Sequence, residues 1–164
     1  MTFMWRQIIE ADLGHPEHAD AIVTLLDVYA RDPAGGGQPL SDRVRERLVP
    51  ELRKRSGVHV VLAFEDDEAV GMAICMEGFS TFVCEPLLNV HDLVVHPSRR
   101  GQGLAGQLLA EVERIARQRG CCKVTLEVLE GNTSAQAAYR RAGFEGYQLD
   151  PSMGRAMFWQ KWLA

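Results

Sequence analysis

The chain has 164 residues, 46% of them hydrophobic and 24% charged, with a net charge of −4 at pH 7. Those proportions describe one globular domain spanning 1–164, large enough for a full hydrophobic core. The acidic balance weighs against a nucleic-acid binder, which needs a basic face. No apolar run approaches membrane-spanning length either.

The segment FMWRQIIEA, Phe3 to Ala11, reads as a first strand. It lacks a basic leader followed by an apolar core, so a cytoplasmic address is expected. Pro16 suits the first position of a helix reaching about Arg31, with Ile22, Leu25, Leu26 and Tyr29 at helical spacing. Asp32 to Pro39, DPAGGGQP, is the clearest loop. Ser41 suits the N-cap of a second helix toward Arg55, with Val44, Leu48 and Leu52 as its apolar positions. Pro50 is expected to kink or split it.

From Val58 the pattern alternates. HVVLAFEDD and AVGMAICMEGFSTF flank an acidic turn and predict a hairpin, and LLNVHDLVV a further antiparallel strand. A helix from about Gly101 to Arg119 carries Leu104, Leu108, Val112 and Ile115 on one face, with Glu113 and Arg117 able to pair on the other. KVTLEVLE is the next strand, and Asn132 caps a short helix bearing Ala135, Ala138, Tyr139 and Ala142. The tail RAMFWQKWLA reads as a last strand. Cys75, Cys84, Cys121 and Cys122 form no C-x-x-C pair and no metal-ligand spacing with histidine, so free thiols and no metal are expected.

The junction of the LLNVHDLVV strand and the helix after it carries the chemistry. Arg99 and Arg100 stand before Gly101, Gly103 and Gly106, where the helix opens. Glycine lets amides approach a ligand closely, and a helix N-terminus offers free donors and partial positive charge. The combination suits phosphates, with Arg140–Arg141 a second basic spot. A literal G-x-G-x-x-G is present, but HPSRR separates it from its strand, and too few residues follow for a dinucleotide-binding domain. No G-K-[ST] follows the glycines, so a Walker loop is excluded.

A second block, NTSAQAAYRRAGF, follows at Asn132 to Phe144. The order strand, RRGQGLA, helix, strand, N-x-x-A-x-x-x-Y-x-x-x-G-F resembles the GNAT-type N-acetyltransferase superfamily, chiefly over Val70 to Phe144. The resemblance implies an α/β (α+β) single-domain fold, a mixed central sheet of six to seven strands flanked by about four helices. Its pyrophosphate-gripping pattern falls on Arg100, Gly103 and Ala105, within a turn that also holds Arg99, Gly101, Gln102, Leu104 and Gly106. It further implies that backbone amides around Leu93, Val94 and Val95 bind the pantetheine arm of acetyl-CoA, with Asn132, Ala135 and Tyr139 also on the cofactor.

Acetyl transfer to an amine needs a base, because an alkylammonium has a pKa of about ten, an oxyanion donor, and a stabilising partner for the thiolate. Strict alternation would put Asn89, His91, Leu93 and Val95 on one face, and Val90, Asp92 and Val94 on the other, unless a bulge intervenes. The family typically does bulge here. By resemblance His91 is the first choice of base, with Asp92 as orienter or substitute, and Tyr139 donates toward the CoA sulfur.

The expected activity is transfer of acetyl from acetyl-CoA to a primary amine of a small molecule, by direct attack in a ternary complex. A peptide or protein acceptor is the lesser expectation, with no metal, nucleic acid or membrane involved. A non-catalytic acyl-CoA-binding module on the same fold is the alternative. Acceptor choice should lie in Leu26 to Pro50, Glu77 to Leu88 and the tail. There Phe79, Phe82 and Trp159 are candidates for an apolar wall, and Glu77, Glu85 or Asp32 for meeting a cation. The apolar tail is compatible with a homodimer and equally with burial inside one subunit.

Overall fold

A computed structural model describes residues 6–163. The expected first strand is therefore seen only in part, as β1 (Arg6–Glu10), and its beginning lies outside the described residues. Helix α1 (Pro16–Arg31) begins at its proline, as the spacing predicts. Helix α2 (Asp42–Arg53) has Ser41 as N-cap, whose hydroxyl accepts from the Val44 amide. Pro50 does not split α2. Pro50 and Glu46 are both exposed, so water can satisfy the Glu46 carbonyl that loses its partner, while buried Val49 and Leu52 hold the last turn.

Strands β2 (Val58–Glu65), β3 (Glu68–Ser80) and β4 (Glu85–Val95) form an antiparallel meander, with Asp66 and Asp67 at positive φ in the β2–β3 turn. Helix α3 (Leu104–Gln118), strand β5 (Val124–Leu126) and helix α4 (Thr133–Arg141) complete the regular elements. The sheet order is β1-β2-β3-β4-β5, with β5 parallel to β4 and every other pair antiparallel.

Both faces of the sheet are covered, which explains why VVLA in β2 is apolar without alternation. Val61, Ala63, Ala73, Cys75, Leu88 and Val90 pack against Leu104, Leu108, Val112 and Ile115 of α3. Val60, Leu62, Met72, Ile74 and Val94 pack against Ile22 and Leu25 of α1 and Val49 and Leu52 of α2. The Glu113–Arg117 pair on the outer face of α3 forms at 2.6 Å.

Among the described residues the sheet has five strands, not six to seven. KVTLEVLE contributes only Val124–Leu126, because the chain leaves β4 after Leu126. The tail forms no strand: residues 154–163 have no regular structure and no backbone hydrogen bond to the sheet. All four cysteines are free, and burial pushes the Cys75 thiol up to about 12. No helix among the described residues is long and apolar enough to cross a membrane.

Candidate active site

The site begins where β4 loses one neighbour. β5 pairs only with Leu88, Asn89 and Val90, so from His91 to Val95 the edge of β4 turned away from β3 has no strand beside it. The register with β3 shifts at the same place, where Ile74 faces Asp92 and Cys75 faces Val90. His91 is the extra residue of a β-bulge. The bulge corrects the strict alternation: Val90, Leu93 and Val95 all join the α3 core, and Val94 the α1–α2 core. A parallel pair that parts at a bulge leaves a wedge-shaped opening with backbone polar groups along one side.

His91 is exposed, and its Nδ1 lies 2.7 Å from Asn89 Oδ1. The Asn89 amide nitrogen donates to Thr125 Oγ1 at 3.0 Å, which turns Oδ1 toward the imidazole. Nδ1 must then carry the proton, leaving Nε2 as an acceptor. Asp92 is partly buried, and its carboxylate makes no hydrogen bond or ion pair among the described residues. Burial raises its pKa above the ordinary carboxylate value, opposed by His91.

Two phenols share this region. Burial, then the Asp92 and Asp32 carboxylates, push up the Tyr29 hydroxyl at the end of α1. Burial and Tyr29 likewise raise Tyr139 on α4, so Tyr139 stays protonated well above neutral pH. Its ring packs on the α3 core and tilts against Phe144 at 6.1 Å. The Asn132 side chain accepts from the Ala135 amide, fixing the start of α4.

Beyond Val95, Pro97–Arg99 form a single 3-10 turn, and Gly101 and Gly103 follow at φ 74° and 77°. That left-handed backbone is what requires glycine there. A Cβ at Gly101, Gly103 or Gly106 would meet no atom within 4 Å, so the turn borders open space. Helix α3 starts at Leu104, not Gly101, and Gly103 gives it no side-chain cap. The amides of Gly101, Gln102, Gly103 and the first turn, Leu104, Ala105 and Gly106, therefore present free donors at a positive helix end. Gln102 reaches back to the Ser98 carbonyl at 3.5 Å.

The two arginines part company. Arg99 pairs with buried Glu65, which also pairs with Arg6, and so anchors the turn to the sheet. Those guanidiniums hold the Glu65 carboxyl below its ordinary range. Arg100 is half-exposed at the turn, donating to the Val95 carbonyl and pairing with Asp32 Oδ2 at 3.0 Å. Glu65 and Tyr29 carried no signal in the sequence, since a buried glutamate and a helix tyrosine read as ordinary strand and core residues.

Other sequence candidates lie apart from this opening. Glu77 binds His59 at 2.8 Å and Arg119 at 2.7 Å. Phe79 and Phe82 are exposed and wall nothing, and Trp159 stands on the exposed tail. Glu85 is exposed at the start of β4. Among the described residues no group of three or more His, Cys, Asp or Glu is arranged to hold a metal ion.

A wedge between parted parallel strands thus lies beside an amide-lined, arginine-flanked helix start. Consistent with it, the profile of the acetyltransferase (GNAT) family matches residues 22–144. The chain belongs to that family and is an acetyltransferase. It is 38% identical over 163 residues to the streptothricin acetyltransferase of Streptomyces lavendulae, covering 93% of this chain and 86% of that one. It is 27% identical over 124 residues to the thialysine N-epsilon-acetyltransferase of Caenorhabditis elegans, covering 76% and 75%. The solved structure of aminoglycoside N-acetyltransferase AAC(6')-Iy in complex with CoA superposes with a TM-score of 0.74 at 23% identity, covering 96% of this chain and 95% of that one.

Proposed function

We propose that this protein transfers an acetyl group from acetyl-CoA to a primary amine of a cationic small molecule, both bound at once. The observation that carries the reading is the bulge at His91 beside the unpaired edge of β4, in line with the amide-lined turn at Gly101–Gly106. Similarity to acetyltransferases named for streptothricin and thialysine supports a small amine as acceptor.

The residues fit the coenzyme. The free amides of the Gly101 turn and the start of α3, with Arg100, suit the pyrophosphate. The open edge of Leu93, Val94 and Val95 suits the pantetheine arm, with Asn132, Ala135 and Tyr139 on its other side. When bound, acetyl-CoA supplies a thioester carbonyl as electrophile and a thiolate as leaving group.

His91 Nε2 accepts the proton of the incoming ammonium, with Nδ1 held by Asn89. Asp92, and Asp32 when it is free of Arg100, attract the cation to the opening. Backbone amides of the β4 edge donate to the carbonyl oxygen as charge develops there. The Tyr139 hydroxyl donates to the departing sulfur. The bond formed is C–N and the bond broken C–S; of the two protons the nitrogen loses in passing from ammonium to amide, one leaves through His91 to solvent, and the other makes good the proton that Tyr139 gives to the thiolate.

The test is a panel of primary amines, amino sugars, diamines and basic amino acids incubated with acetyl-CoA and read by thiol release. Turnover on at least one cationic small amine is expected. CoA binding by calorimetry with no turnover across the panel would overturn the reading in favour of a non-catalytic acyl-CoA-binding module.

A further inference from the structure

An ion pair joins the two sides of the candidate site. Arg100 leads into the glycine turn, and its guanidinium donates through Nε to the Val95 carbonyl at 3.3 Å and through Nη2 to Asp32 Oδ2 at 3.0 Å. Asp32 belongs to the other side. It follows α1, and its amide bonds the Tyr29 carbonyl at 3.0 Å. Tyr29 packs against the α1–α2 core. Asp92 turns to the same face, because Ile74 opposite it and Val94 two residues on both lie in that core. Burial, then the Asp92 and Asp32 carboxylates, raise the Tyr29 hydroxyl, which places both acids about that phenol. Tyr139 and the α3 core lie on the opposite face of the sheet.

One guanidinium therefore neutralises a carboxylate on the α1 face while holding the place that suits the pyrophosphate. A phosphate at Arg100 and an ammonium at Asp32 must each part the same pair. Whichever ligand arrives first bears that cost, and the second is spared it. Two ligands linked in this way strengthen each other by one common factor. Asp32 Oδ1 meanwhile stays engaged by the Ala34 amide at 3.0 Å, so the loop keeps its shape when Oδ2 is released.

Resting on the acetyl-transfer reading above, we propose that Asp32 is a specificity-determining residue that binds a second cationic group of the acceptor, and that the coenzyme unmasks it by drawing Arg100 away. Asp92, beside His91 on β4, serves the reacting nitrogen, and Asp32, on the loop after α1, serves a distal one. The preferred acceptor is then a diamine, a basic amino acid or an amino sugar with several amines, ahead of a monoamine. Without coenzyme the enzyme offers a neutralised pair in place of a free carboxylate. The pair is half-exposed, so screening by solvent limits the coupling to about fivefold.

Calorimetry with CoA, which carries no acetyl group, tests the exchange of partners without turnover. Asp32→Asn keeps an acceptor for the Ala34 amide and should bind CoA up to about fivefold tighter than wild type. In the Arg100→Ala background the same substitution should change nothing. Each amine that is turned over with acetyl-CoA is then compared with its analogue lacking the second amino group. Removing Asp32 should reduce the kcat/KM preference for the doubly charged member by about fivefold. That member, at saturation, should tighten CoA binding in wild type and not in Asp32→Asn. Asp32→Ser, which also keeps an oxygen for the cap, should repeat these results and replaces Asp32→Asn if that variant folds poorly. Effects of the two substitutions on CoA affinity that simply add, or an amine preference that survives the loss of Asp32, overturn the proposal and leave acetyl transfer standing. CoA binding with no turnover on any amine overturns acetyl transfer, and the proposal with it.

Discussion

Asn89 Oδ1 accepts a hydrogen bond from His91 Nδ1 at 2.7 Å, and this contact decides which ring nitrogen of His91 can take a proton. Asn89 is itself aimed by Thr125 across the middle of the three paired rungs between β4 and β5, one rung before the strands part. The imidazole is thus oriented from just before the point where the strands part.

Asn89→Leu should therefore leave CoA binding near wild type and lower kcat/KM at least tenfold, part of the ~10²–10⁴ that a positioned base contributes. Asn89→Asp keeps an acceptor for Nδ1–H, and its negative charge favours the imidazolium. Activity should then return in part, with its rise shifted to higher pH, because a base of higher pKa is freed later. A pH profile of kcat/KM checks both, and a merely structural Asn89 would not move that rise.

Tyr139→Phe removes the hydroxyl proposed to protonate the thiolate and keeps the ring against Phe144 and the α3 core. The expected result is a kcat lowered by about 10²-fold with nearly unchanged CoA affinity. Calorimetry beside steady-state kinetics measures both, and unaltered turnover removes Tyr139 from the mechanism.

Asp32 occupies the guanidinium of Arg100 that is proposed to meet the pyrophosphate. The two anions compete, so Asp32→Asn should tighten CoA binding, and Arg100→Ala should weaken it. The pair is half-exposed, so its ~0.2–1 kcal/mol implies a gain of no more than about fivefold. A backbone bond from Ala34 and the Arg100 pair hold the Asp32 carboxyl below its ordinary range. The competition should therefore persist at pH 5; titrations at pH 5 and 7.5 test that.

Asp92 illustrates a conflict between stability and function. Burial raises its folded-state pKa above the unfolded value of about 3.9, so the stability it contributes is fully present below that value and is lost as pH rises through the folded pKa. Asp92→Asn should raise the melting temperature at pH 7, with a smaller gain near pH 3.5. It should also raise KM for a cationic acceptor. Thermal melts at the two pH values and acceptor kinetics check the pair of effects.

Loop 32–38 is held against the end of α1 by close approach. A Cβ on Gly35 would lie 2.0 Å from the Tyr29 carbonyl oxygen. Gly35→Ala must push the loop away, at a cost of about 1–3 kcal/mol, seen as a melting temperature lower by roughly 2–4 °C per kcal/mol. Because the loop carries Asp32, CoA affinity should change in the same variant.

Much of the fold was legible because its signals are local. Pro16, Ser41, Asn132 and the Leu104-Leu108-Val112-Ile115 stripe act within a turn or two of chain, and each element begins or packs where those residues place it. The glycine turn was legible for the same reason, since positive φ at Gly101 and Gly103 is a property of single residues. Pro50 misled because its cost depends on whether the orphaned carbonyl reaches water, which is decided by the helix's outward face.

The sequence by itself determined the helices, the meander, the amide-lined turn and the family those blocks resemble. Each depends on spacing along one stretch of chain. Only the tertiary structure decided that Arg99 anchors to Glu65 while Arg100 meets Asp32, that His91 is the bulged residue with its Nδ1 committed to Asn89, and that the apolar tail lies outside its own core. These are pairings between residues distant in sequence. They follow from which strand edges and charged groups the packed sheet brings together, and no local propensity encodes that.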